Sequence, residues 1–290
     1  MNYDIKKDFK DILKDILSSA YGLSKADLTD NYDSLVITFS KYMRQCLFLN
    51  RKWDVKISPQ IVVPAARQNG FNKLIEALKN GNDILRYTTT LTDNINHNDT
   101  MLDCDGFYHF HLSDNPHPKK LNFNERTDER AFVYCDKYSS TAYIVDIYKH
   151  GAEQNNIKDR LLKLWTQFPE ACKYIVQEGK LINSYDDSAI SELRKNQVNC
   201  GIQLDNTHFF MPGIYGLTTA GTSVIDTMYL IQTNKELDIL DKLVQTILSK
   251  MKGENITDIN IYNKGYSIYL KMLSDDMVKL DVLIVDSICP

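Results

Sequence analysis

Two apolar runs joined by a short polar link limit this chain more than any other feature. Residues 131–135 and 142–147 are almost wholly apolar and rich in β-branched and aromatic types. The link between them, Asp136-Lys137-Tyr138-Ser139-Ser140-Thr141, is of hairpin length. The pattern reads as two antiparallel strands. Just upstream, residues 106–112 alternate, with Phe107, His109 and His111 on one parity and Tyr108, Phe110 and Leu112 on the other. That period of two is a third strand. Three strands so close in sequence form one small antiparallel sheet.

Elsewhere the periodicity is mostly helical. Ile5, Phe9, Ile12, Leu13, Ile16 and Leu17 make one apolar stripe near the N-terminus. A second helix follows Asn31 and Asp33 to about Phe48, with Phe39, Met43, Cys46 and Leu47 inward. Short β-branched runs at 55–57 and 61–63 are broken by Pro59 and Pro64. A short helix over 71–79 ends at Asn80-Gly81-Asn82. Residues 89–104 are polar and read as a loop. A helix spans 157 to about 178, with Pro169 bending or restarting it. Beyond it come a short helix over 188–195 and short strands at 208–211 and 214–217. A long helix then runs from Ser223 to about Met251, with Ile239, Leu240, Leu243, Val244, Ile247 and Leu248 as its stripe. Strands at 259–262, 266–273 and 278–285 close the chain as a meander, turning at Asn263-Lys264-Gly265 and Ser274-Asp275-Asp276. The expected class is α+β: a small antiparallel sheet with flanking helices, then a C-terminal α+β unit. The expected segments are 1–52 (helical), 53–180 (the His-bearing sheet) and 181–290.

Bulk properties exclude several classes. A chain of 290 residues with 43% hydrophobic content has material for a core, which rules out wholesale disorder. Lys and Arg total 34 against 38 Asp and Glu, so there is no broad cationic coat for nucleic acid and any such contact is local. No apolar run reaches the roughly 18 residues of a membrane span. The start alternates acidic and basic residues, so no targeting segment is expected and the cytoplasm is the expected compartment. Six scattered cysteines without a Cys-x-x-Cys read as reduced thiols.

The chemistry-bearing residues gather on the central strands. Four of the six histidines are His109, His111, His117 and His150. His109 and His111 share a strand face. Arg126 and Arg130 lead into the next strand, Tyr134 and Tyr143 sit in the hairpin, and His150 lies past its end. Histidine moves protons near neutral pH, and arginine holds phosphate. Together they supply what metal-independent RNA cleavage needs: a base, an acid, and a cation for the charged intermediate. In that reading His109, His111 and His150 are catalytic, while Arg126, Arg130, Tyr134 and Tyr143 bind substrate. No cofactor or metal is expected. A His-x-His metal site, with Asp103, Asp105 or Asp146 as oxygen ligands, is the weaker reading. A further alternative is structural: strand histidines beside tyrosines that merely satisfy hydrogen bonds.

The run Arg126-Thr127-Asp128-Glu129-Arg130-Ala131-Phe132-Val133-Tyr134, followed by Ala142-Tyr143-Ile144-Val145-Asp146-Ile147-Tyr148-Lys149-His150, resembles the central sheet of RelE/ParE-type toxins. The likeness covers residues 70–165. It implies endoribonuclease activity on mRNA, with RNA or the ribosome as target and a protein inhibitor or partner subunit. Arg126, Arg130, Tyr134 and His150 are the positions that match. The family is small and basic, whereas here Lys and Arg are balanced by Asp and Glu over residues 106–160. A toxin-like or phage-defence role is the leading expectation. A non-catalytic protein-interaction or regulatory module is the alternative.

Overall fold

The computed structural model describes residues 4–151, 156–213, 215–250, 256–264, 267–274 and 280–285. The chain divides into two compact units, residues 1–43 with 226–290, and residues 44–225. The boundaries differ from the three consecutive segments expected from sequence, because the N-terminal helices group with the C-terminal helix and strands.

In the first unit α1 (Ile5–Tyr21) starts at Asp4, whose carboxylate accepts the Lys7 N–H, and stops at left-handed Gly22. Ile5, Phe9, Leu13 and Leu17 are buried, while Ile12 and Ile16 flank the stripe half-buried. Helix α2 (Tyr32–Tyr42) is capped by Asn31 and buries Leu35, Val36 and Phe39. Helix α7 (Val224–Lys250) belongs to this unit from Asp226 onward, and Ser40 Oγ donates to Asp226 at 2.7 Å. Leu237, Leu240 and Val244 are its buried positions. Of the predicted stripe, Ile239 and Leu243 point outward instead, since the inward face follows Thr233, Leu237, Leu240 and Val244 at helical spacing. Strands β8 (Ile256–Lys264), β9 (Ser267–Ser274) and β10 (Leu280–Val285) form the expected antiparallel meander. Met251, Gly265, Asp275, Asp276 and Cys289 lie outside the described residues, as does Ile214 further upstream.

The second unit is built on a four-stranded sheet. Strand β1 (Asp54–Ile57) runs parallel to β4 (Thr141–Lys149), which pairs antiparallel with β3 (Glu129–Asp136), itself antiparallel to β2 (Phe107–His111). The parallel edge was not foreseen, because a parallel partner carries no turn signal in sequence. Both faces of this sheet are covered, which is why β3 and β4 read as continuous apolar runs rather than as alternation. Helix α3 (Gln68–Asn80) presents Phe71, Leu74 and Leu78 to the Tyr108, Phe110, Ala131, Val133 and Ile144 face. At Gly70 the helix approaches so closely that a Cβ would collide with the Leu112 carbonyl. Helix α5 (Ile157–Gln167) covers the opposite face, packing Leu161 and Leu164 among Phe107, Phe132, Tyr134 and Tyr143. It ends before Pro169 rather than running on to 178. The short strand β5 (Val176–Glu178), β6 (Ile202–Gln203) and β7 (His208–Phe210) make a second, three-stranded sheet.

Part of the expected 89–104 loop is helical. Asp99 accepts the Leu102 N–H and starts α4 (Thr100–Asp105), which Gly106 closes at φ 74°. This short helix carries the charge centre of the unit. Asp105 is 0% exposed and accepts from Arg160 of α5 at 2.8 Å and from Arg194 of α6 (Asp187–Lys195). The Arg160 guanidinium, 1% exposed, also lies 5.2 Å from the Phe107 ring centre and 5.4 Å from that of Phe132. Burial alone would push the Asp105 carboxyl up, but the Arg194 and Arg160 charges outweigh it and hold it below the usual carboxylate range.

Breaking one partner of such a buried set costs about 3–5 kcal/mol. Arg160→Met is therefore expected to lower the urea stability of the second unit by that order. Tryptophan fluorescence reads this unit selectively, since both tryptophans, Trp53 and Trp165, belong to it. Because the folded Asp105 titrates below its unfolded value, its contribution persists at mildly acidic pH. It is lost only as pH falls below about 4.

Candidate functional site

The register of β2, β3 and β4 decides which candidate residues meet. His111 stands opposite Arg130, and Arg130 opposite Tyr148; His109 stands opposite Phe132. His150 follows β4 immediately, its backbone N–H donating to the Asp128 carbonyl at 2.7 Å. The Arg130 guanidinium contacts His150 Nδ1. His111, Arg130 and His150 thus form one cluster at one end of the sheet. Arginine only donates, so Nδ1 of His150 is the acceptor there and a neutral His150 carries its proton on Nε2. His150 is exposed, whereas Arg130 is buried at 5% exposure.

His111 is held differently. It is 1% exposed, and its Nδ1 accepts the Thr127 N–H at 3.0 Å. Thr127 also receives the Leu112 N–H on Oγ at 2.9 Å, tying the end of β2 to the segment that enters β3. Burial, then the Arg130 charge, pushes the His111 imidazole down to about 3. The ring is therefore neutral, with its proton on Nε2, a buried atom that has no hydrogen-bond partner. A histidine with its lone pair already engaged is a structural anchor in this geometry rather than an available base. Arg126 is exposed on the preceding loop, and its charge also acts on His111.

The remaining candidates lie elsewhere. His109 is two residues along β2, its Nδ1 3.7 Å from Asp99 and its ring against Phe132. Tyr134 and Tyr143 face each other at the opposite end of the β3–β4 pair, and both are buried. The Tyr134 and Tyr215 hydroxyls hydrogen-bond at 3.2 Å, and Tyr143 packs on Phe168. The geometry thus separates both tyrosines from the His111–Arg130–His150 cluster, because Tyr134 lies four positions along β3 from Arg130 and Tyr143 lies five along β4 from Tyr148, the residue opposite Arg130.

The weaker metal reading finds no grouping: among the described residues no three His, Cys, Asp or Glu side chains are arranged to hold an ion. Asp105 is held by Arg160 and Arg194, Asp103 pairs with Arg44 at 2.8 Å, and Asp146 pairs with Lys163. Lys163 also reaches Asp159 at 2.7 Å, and Asp159 accepts from the Tyr148 hydroxyl. This Lys163 network beside the cluster was not anticipated. Its only sequence signal was the i,i+4 spacing of Asp159 and Lys163 on a helix.

Comparison of the chain with protein-family models, with curated proteins and with solved structures finds no match. The site therefore rests on geometry.

An unfolded histidine binds its proton near pH 6.5, whereas folded His111 stays neutral down to about 3. Between those values the unfolded state carries the extra proton, so stability falls as pH drops, by at most about 1.4 kcal/mol per pH unit. His111→Asn, whose side-chain oxygen can accept the Thr127 N–H, is expected to flatten this limb. Urea midpoints of the two proteins at pH 7 and pH 5 measure it.

Proposed function

We propose that this chain is a toxin-like or defence-type endoribonuclease that needs no metal and acts at the His150 end of the central sheet. The observation that carries the reading is the contact of Arg130 with an exposed His150, backed by a neutral, immobilised His111. In the reaction, the 2'-oxygen of RNA forms a bond to the adjacent phosphorus and the bond to the 5'-oxygen breaks. When the Arg130 guanidinium turns from His150 to the phosphate, the freed Nδ1 of His150 removes the 2'-hydroxyl proton, and the imidazolium so formed gives a proton to the departing 5'-oxygen. Arg130 and Arg126 offset the charge that builds on the phosphoryl oxygens. The resemblance to RelE/ParE-type toxins supports the same assignment, since Arg126, Arg130 and His150 are among the positions that match it. His111 serves as the anchor beneath them, and Tyr134 and Tyr143 support the sheet.

The test is cleavage of a mixed-sequence oligoribonucleotide in the presence of EDTA, together with growth and RNA integrity in cells making the protein. The wild type should cut RNA, leave the matching DNA intact for want of a 2'-hydroxyl, and yield 2',3'-cyclic phosphate ends. His150→Ala and Arg126→Ala, both at exposed positions, should lower the rate by about 10²–10⁴-fold and by a smaller factor, respectively. A folded His150→Ala protein that cleaves like the wild type would sink this reading.

A second reading, a non-catalytic module for a partner protein, is favoured by the exposed apolar side chains Met228, Ile231, Ile239 and Leu243 on α7. Growth effects that survive His150→Ala but vanish in Ile231→Asp/Ile239→Asp would select it.

A further inference from the structure

Away from the His150 cluster, among the described residues, the carboxamide of Gln45 is buried with neither polar atom hydrogen-bonded to the protein. The chain makes a π-helical turn over Met43–Leu47, and this wider turn carries Gln45 inward, 3% exposed. Neither its Nε2 nor its Oε1 has a hydrogen-bond partner. A buried carboxamide left in that state costs free energy, so native proteins supply something to meet it.

Gln45 opens on a cavity of about 10 Å³ that it shares with Thr88, Thr92, Asp99 and His109. That volume suits about one water molecule and excludes a nucleotide or metabolite. The surrounding groups define what kind of atom fits. Thr88 Oγ donates to the Leu85 carbonyl at 2.7 Å and Thr92 Oγ donates to the Thr89 carbonyl at 2.8 Å. Their protons are thus spent, and both offer only lone pairs. Asp99 uses one carboxylate oxygen to cap α4, while the other stands 3.7 Å from His109 Nδ1, beyond hydrogen-bond length. With Gln45 Oε1, the niche is rich in acceptors and has one certain donor, the Gln45 amide.

We infer that a single ordered water occupies this niche, accepting from Gln45 Nε2 and donating to the acceptors around it, Asp99 among them. A water has two protons to give and a lone pair to receive, which matches both the acceptor excess and the lone amide donor. It adds to the direct ties already present between the π-turn, α4 and β2, the Arg44–Asp103 pair at 2.8 Å and the Tyr108 hydroxyl donating to the Arg44 carbonyl at 2.7 Å. This inference is independent of the ribonuclease reading.

Gln45→Met keeps the length of the side chain and removes its polar atoms. The melting temperature followed by tryptophan fluorescence is expected to fall by about 2–6 °C, because the water loses a partner and its other contacts are left strained. A high-resolution crystal structure of the wild type should show a water within about 3.2 Å of the Gln45 carboxamide. Exchanging sodium chloride for ammonium chloride should leave the melting temperature unchanged. An empty niche in the crystal overturns the proposal, as does a Gln45→Met protein that melts higher than the wild type. Selective stabilisation by ammonium overturns it too, by assigning the niche to a cation.

Discussion

The sheet-bearing unit depends on one buried carboxylate. Asp105 sits at the end of a six-residue helix, inaccessible to solvent, and takes hydrogen bonds from arginines on two other helices. An isolated charge there would be prohibitive, since desolvation costs several kcal/mol per ion even after relaxation. Two guanidinium groups, one of them stacked over Phe107 and Phe132, offset that cost and convert it into a geometric demand. α4, α5 and α6 must all be in place for any of the three charges to be satisfied. Asp187 adds a second tie of the same kind, accepting the Ile157 and Lys158 N–H groups at the start of α5.

That demand fixes the face of the sheet on which the histidines lie. Phe107, His109 and His111 share a strand parity, and Arg160 covers the first of them through its ring. Along β2, Phe107 and His111 are both buried and only His109 between them is half-buried; the polar cluster forms at the His111 end of the strand. There His111 is locked by Thr127 and stays neutral, while His150, on a different strand end, reaches solvent. Two imidazoles that look equivalent as letters are separated into an anchor and an accessible group by their places in the sheet: His111 is buried within β2, and His150 stands exposed one residue past the end of β4.

The central strands and most helices were legible because each leaves a local signal: alternation at Phe107 to Leu112, a short polar link at 136–141, an N-cap at Asn31, a stop at Gly81. The parts that were not legible are non-local. Strand β1 was visible as a β-branched run, but its parallel pairing with β4 is decided by the whole unit. The π-turn at Met43–Leu47 shifts the helical phase, so Arg44 and Gln45 turn inward where the regular pattern would place them on a polar face. Of the candidate site, the convergence of Arg130 and His150 followed from hairpin register and was within reach of sequence reasoning. The burial of Tyr134 and Tyr143 was not, because it depends on α5 and α6, whose docking a strand pattern cannot reveal, and that of His111 was not, because its partner Thr127 comes from the loop that enters β3.

The same distinction reopens the question of charge. Over residues 106–160 basic and acidic side chains balance, which on a linear count argues against an anionic ligand. In three dimensions the partners come from outside that window. Lys163 pairs with Asp146 and Asp159, Arg67 with Glu129, and Lys73 with Asp114. Two cations are lost in exchange, as Arg160 is committed to Asp105 and Lys120 to Asp93. Three imported cations thus contact four of the segment's carboxylates against two exported, a gain of one positive charge, and the charge of Arg126 and Arg130 faces fewer uncompensated anions than the sequence count implied. A phosphate approaching His150 meets a local field set by these pairings and not by the net charge of the chain, so slight overall acidity is no argument against the proposed site.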